Sequence, residues 1–156
     1  MPQRSRSKTK GRLESGSFSM LPHVVQESQN WAQCSYMAIK LLMDLLSQFK
    51  GSNNGDLSAA LSVMKSKGWT RGQTISKAVR ELIYYGMIEM TRQGGLHRCS
   101  LYAVTWKPID HCNGKLEVKA INVPSRLWVN TKPPYVRPIK KRQAAKRPNA
   151  KPPNGL

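Results

Sequence analysis

Acidic residues are scarce in this chain: 8 Asp+Glu stand against 26 Lys+Arg, a formal net charge of +18 in 156 residues. The few carboxylates do not cluster, so the paired acids of general acid–base chemistry are missing. Apolar residues are also short, at 39 % against the roughly 45–50 % of an ordinary globular composition. One modest core is expected, and a large multi-domain enzyme is excluded. Long apolar runs are absent as well. The best, Tyr36 to Phe49, is broken by Lys40 and Asp44 and falls short of the roughly 18–20 uninterrupted residues that span a bilayer. No membrane partner is expected. The basic N-terminus lacks the apolar segment and cleavage site of a secretory signal.

Cysteine is limited to Cys34, Cys99 and Cys112, an odd number at unrelated spacings. That pattern is no disulfide framework and fits a reduced, cytoplasmic protein. His97, Cys99, His111 and Cys112 offer zinc-ligand types, but their spacings are H-x-C and H-C. Neighbouring residues of an extended chain point to opposite faces, which suits a tetrahedral site poorly. No third residue orients a Cys–His nucleophile pair, and Gly94-Gly95 is followed by no Gly-Lys-Ser/Thr phosphate cradle. The expectation is therefore a protein with no catalytic residues, no metal and no cofactor.

What the chain does have is cationic ends. Five Lys or Arg lie in residues 1–12 and eight in 130–156, half of all of them, with no acid in either stretch. Cations that neutralise phosphates release condensed counterions, so the imbalance points to a polyanionic partner. Residues 1–16 have almost nothing to bury and read as a disordered basic tail. Residues 17–118 contain the periodic hydrophobicity and read as one domain, and 119–156 read as a basic, Pro-rich tail.

Within the central part, Met20 to Val25 is an entry segment with Pro22 in the first turn of a short helix. Apolar residues from Met37 to Phe49 recur near helical spacing and predict a helix over 35–49. After a Gly/Asn loop, Asp56 or Ser58 caps a second predicted helix over 57–67, stopped by Gly68. The third helix, 71–85, opens with Thr70-Arg71-Gly72-Gln73, a capping-box pattern. Its apolar stripe is Ile75, Ala78, Val79, Leu82 and Ile83, and Gly86 suits the left-handed position after its end. Strand-forming residues then occupy 87–92 and 99–106 around the loop Gln93-Gly94-Gly95-Leu96-His97-Arg98. The fold class expected is mainly α with a small β-hairpin.

Helix, helix, capped helix and hairpin is the winged helix-turn-helix order. Lys67-Gly68-Trp69-Thr70, Ala78-Val79-Arg80-Glu81-Leu82, Tyr85-Gly86-Met87-Ile88, Thr91-Arg92-Gln93-Gly94-Gly95 and Leu101-Tyr102-Ala103-Val104-Thr105-Trp106 carry a resemblance. Over about residues 18–118 the chain resembles winged-helix domains of bacterial prophage- or plasmid-associated DNA-binding proteins, and more distantly MarR-like and replication-initiator domains. The resemblance implies DNA binding, with transcription regulation or replication control of a mobile element as the role.

Burying the third helix's apolar stripe turns Arg71, Gln73, Thr74, Ser76, Lys77 and Arg80 toward solvent, on an element that fits a DNA major groove. At the hairpin tip, Arg92, Gln93, His97 and Arg98 are expected along an adjacent groove or backbone, with Gly94 and Gly95 letting the main chain approach. The partner expected is double-stranded DNA at the nucleoid. RNA, bound in the manner of a ribosomal protein, is the alternative; a homodimer is a further expectation, with the apolar face of the 35–49 helix serving either that interface or the intramolecular core.

Overall fold

The structure is a computed structural model and describes residues 17–138. The expected disordered tail 1–16, and the tail beyond 138, lie outside the described residues.

Two short helices open the described chain, α1 (His23–Gln26) and α2 (Gln29–Gln33). Ser28 caps α2 by accepting the Trp31 N–H. Helix α3 (Tyr36–Leu46) starts at Ser35, whose hydroxyl oxygen accepts the Ala38 N–H. Ala38, Leu41, Leu42, Leu45 and Leu46 are all buried, an i, i+3, i+4 stripe facing the interior. That stripe is spent on the chain's own core.

The second predicted helix is largely replaced. Leu57–Ser58 forms strand β1, paired antiparallel with Leu101–Tyr102. Helix α4 spans only Leu61–Met64 and tightens into a 3-10 turn, Lys65–Lys67, ended by Gly68 at φ +86°. Neither expected cap operates. Asp56 instead pairs with Lys115 at 2.6 Å, and the Ser58 backbone exchanges hydrogen bonds with the Gln48 amide. Tertiary pairing has overridden local helix preference.

Helix α5 (Gly72–Tyr84) begins at Arg71, with no side-chain cap, so the Thr70–Gln73 box does not close. Trp69 is buried with its Nε1 donating to Asp44 Oδ2 at 2.6 Å, and the chain leaves it extended through Arg71 at φ −133°. The helix therefore starts one residue late for Thr70. Ile75, Ala78, Val79 and Leu82 are buried as expected, but Ile83 is 38 % exposed.

Strands β2 (Ile88–Arg92) and β3 (Leu101–Val104) complete a three-stranded antiparallel sheet in the order β1-β3-β2. The fold is thus α+β, and the hairpin is two-thirds of a sheet rather than an isolated ribbon. A register shift between Met90 and Arg92 leaves Thr91 out of the ladder. Its hydroxyl donates to Gly55 O at 2.6 Å.

The packed body does not stop at 118. Trp128, in a 3-10 turn over Leu127–Val129, is buried in the same cluster as α3 and α5. Two buried asparagines gather the chain after the hairpin. The Asn54 Nδ2, with two hydrogens, is shared among the carbonyls of Val104, Lys107 and Pro108, and its Oδ1 accepts the Val104 N–H. The Asn30 Nδ2 is shared likewise among the carbonyls of Tyr85, Trp128 and Asn130, and its Oδ1 accepts the Lys132 N–H. Each side chain satisfies polar backbone that would otherwise be buried without partners. Gly86 shows how close this wrapping is: at φ +68°, a Cβ there would meet Leu127 C at 2.5 Å. Among the described residues no helix is long and apolar enough to cross a membrane.

Candidate nucleic-acid interface

Burial of one side of α5 fixes what the other side presents. Arg71, Gln73, Ser76, Lys77 and Arg80 are exposed, whereas Thr74 is half-buried and drops out of the row. Ser76 and Arg80 form a ridge between two concavities. Toward the sheet lies a groove of about 470 Å³, floored by Ile75, Val79, Ile83, Met90 and Tyr102. On the other side lies a cleft of about 640 Å³ lined by Gly72, Gln73, Ser76, Lys77, Arg80, Arg137 and Pro138.

Arg137 carries no signal of this placement in the sequence, where everything past 118 reads as tail. It reaches α5 because residues 132–135 are held on that helix. The Tyr84 hydroxyl donates to Pro133 O at 3.1 Å, and the Tyr135 N–H donates to the Tyr85 hydroxyl at 2.8 Å. The Tyr84 and Tyr135 rings lie 5.2 Å apart, and Lys132 Nζ sits 5.2 Å from the Tyr84 ring centre. Paired tyrosines before a helix-ending glycine, and aromatic Tyr135 amid prolines, were the available signals.

Among the described residues, Arg71, Lys77, Arg80 and Arg137 make no ion pair or side-chain hydrogen bond within the chain. The hairpin tip behaves differently. Arg92 donates from Nε and Nη2 to Cys99 O at 3.3 and 3.0 Å, and from Nη1 to Lys115 O at 3.4 Å. Arg98 is paired with Glu117. The other Glu117 oxygen accepts the Gln93 backbone N–H at 2.9 Å. That N–H first, and then the nearby Arg98 guanidinium, hold the Glu117 carboxyl below its ordinary value.

Two expected tip cations are therefore engaged by their own protein, Arg92 half-buried and Arg98 exposed but paired. Gln93 and His97 remain exposed, His97 at φ +64°. Gly94 serves the hairpin itself: its N–H donates to Ser100 Oγ at 2.9 Å, and a Cβ there would meet that oxygen at 2.7 Å.

The cysteines hold no convergent site. Burial first, and then the Glu81 carboxylate, push the Cys34 thiol up to about 12. Its Sγ–H donates to Asn30 O. Burial also raises Cys112. Glu81 itself anchors the α3 start, accepting Ser35 N–H at 2.5 Å and Ser35 Oγ–H at 2.8 Å. Among the described residues, no three His, Cys, Asp or Glu side chains converge as metal ligands. Compared with protein-family models, with curated proteins and with solved structures, the chain matches none.

Proposed function

We propose that the protein binds double-stranded DNA sequence-specifically through a winged-helix module. Helices α4 and α5 act as the helix-turn-helix, and the β2–β3 hairpin acts as the wing. The observation that carries this reading is the exposed row Gln73, Ser76, Lys77 and Arg80 above buried Ile75, Val79 and Leu82. An α-helix with its side chains is about 10–12 Å across, matching a major groove about 12 Å wide. In that groove Gln73 reads adenine edges, Ser76 contacts base or backbone, and Arg80 and Lys77 read guanine or hold phosphate. The wing contributes through Gln93 and His97 more than through its arginines.

The protein is a binding factor rather than a catalyst, working at the nucleoid in transcription regulation or in replication control of a mobile element. Random-site selection with purified protein tests the specificity. Enrichment of a defined duplex sequence, retained against excess competitor, is expected. A gel-shift comparison at matched salt in which structured RNA outcompetes every duplex overturns the reading and favours a ribosomal-type RNA-binding protein, which the +18 charge also suits.

A further inference from the structure

We propose that residues 130–138, after the 3-10 turn at Leu127–Val129, are part of the DNA-binding surface, and that Arg137 joins Lys77 and Arg80 in one cleft that grips backbone phosphate. The inference rests on the DNA-binding reading and adds to it a residue, a site and a way of building that site.

Three observations converge. The cleft is lined by three cations and no carboxylate, with the Gln73 amide and Ser76 hydroxyl as neutral hydrogen-bonding groups between them. Like charges gathered round one space repel, and a phosphate anion reverses the sign of that interaction while accepting charge-assisted hydrogen bonds. Arg137 is also placed rather than trailing. Asn30 clasps residues 128, 130 and 132, Tyr84 and Tyr85 hold Pro133 and Tyr135, and Arg137 follows two residues later. The ordering cost of bringing this guanidinium to α5 is thus largely met in the free protein. Finally, among the described residues Arg137 makes no ion pair, although it also borders a pocket with Glu81, whose two oxygens accept hydrogen bonds from Ser35.

Full-length protein and a fluorescent duplex of arbitrary sequence test this by the salt dependence of affinity, comparing wild type with Arg137→Gln, Lys77→Gln, their double variant, and Lys119→Gln. Lys119 is exposed and outside the cleft, so it controls for loss of one charge. Each phosphate neutralised contributes about 0.9 to the slope of log affinity against log salt. Arg137→Gln is expected to lower the slope by about one. Its affinity loss is expected to match that of Lys77→Gln, and the double variant to lose less than the two single losses multiplied. Lys119→Gln is expected to change little.

If Lys77→Gln weakens binding while Arg137→Gln behaves like Lys119→Gln, the cleft proposal falls and the DNA reading stands. If wild type fails to bind any duplex, the DNA reading falls and the proposal with it. A pyrophosphate titration followed by NMR then shows whether a phosphate cleft exists apart from DNA, through joint shifts at Lys77, Arg80 and Arg137.

Discussion

Arg80 on α5 and Arg98 at the hairpin tip are both exposed arginines, yet one has no partner among the described residues and the other is paired with Glu117. The same contrast runs through their neighbourhoods. Lys77 and Arg137 share Arg80's cleft without an acid, while Arg92 spends its guanidinium on the carbonyls of Cys99 and Lys115. Counting cations in the sequence treats these groups as equal. The structure separates cations that brace a loop from cations without a partner among the described residues, and under the proposed function only the second kind contributes its full charge to an encounter.

The largest effect that would break this contrast is charge reversal. Lys77→Glu with Arg80→Glu is expected to weaken duplex binding by about 100-fold or more at moderate salt, since two phosphate contacts become repulsions. Arg92→Gln with Arg98→Gln is expected to weaken it by at most about threefold. Fluorescence anisotropy reads both, and equal losses would erase the distinction.

Next in size is the clasp. Asn30→Ala strands buried carbonyls of Tyr85 and Trp128 and is expected to cost about 2–4 kcal/mol in denaturant melts. The same change is expected to lower duplex affinity further, by releasing Arg137 from α5.

A smaller change sharpens the contrast by converting one region into the other. Glu117→Gln removes the acid from Arg98 and the Gln93 N–H. It is expected to steepen the salt dependence by up to about one unit as the tip becomes a free cation. Acid does the same reversibly. Because the folded Glu117 carboxyl titrates below its ordinary value, its bracing is present at neutral pH and is lost as pH falls through that depressed value. The protection of the Gln93 amide, its exchange rate relative to the intrinsic rate at each pH, is expected to fall in acid and checks this.

The smallest concerns Gly72, where a Cβ would meet nothing within 4 Å. Gly72→Ala is expected to stabilise α5 by up to about 1 kcal/mol in thermal melts. A simultaneous loss of duplex affinity would show that this glycine admits a close backbone approach to phosphate.

The parts of the fold legible in sequence were those set by periodicity and by backbone-specific residues. The α3 stripe, the buried side of α5, Gly68 and Gly86 at helix ends, and the hairpin all declared themselves locally. Strand β1 did not, because two residues carry no period and Leu57 joins the sheet only through Tyr102, far along the chain. Asn54 falls in a stretch that reads as a loop and Asn30 carries no sequence signal, and nothing local says that each gathers several distant backbone groups. Of the candidate site, Gln73, Ser76, Lys77 and Arg80 were legible from helical phase. The commitment of Arg98 to Glu117 was not, since the two are 19 positions apart. Arg137 was hidden by its setting: prolines and lysines around it suggested a solvated tail, while Trp128 and Tyr135 were already anchoring it.

The hydrogen bonds between Asn30 and residues 98 to 102 positions downstream have a consequence for biosynthesis. While the chain emerges from the ribosome, α3 and α5 are complete well before Lys132 leaves the exit tunnel, so early helices wait with Asn30 unfilled and Trp128's place in the core vacant. Closure of the clasp waits on residues 128–132, and a nascent product cut short before them would carry α5 without Arg137 beside it.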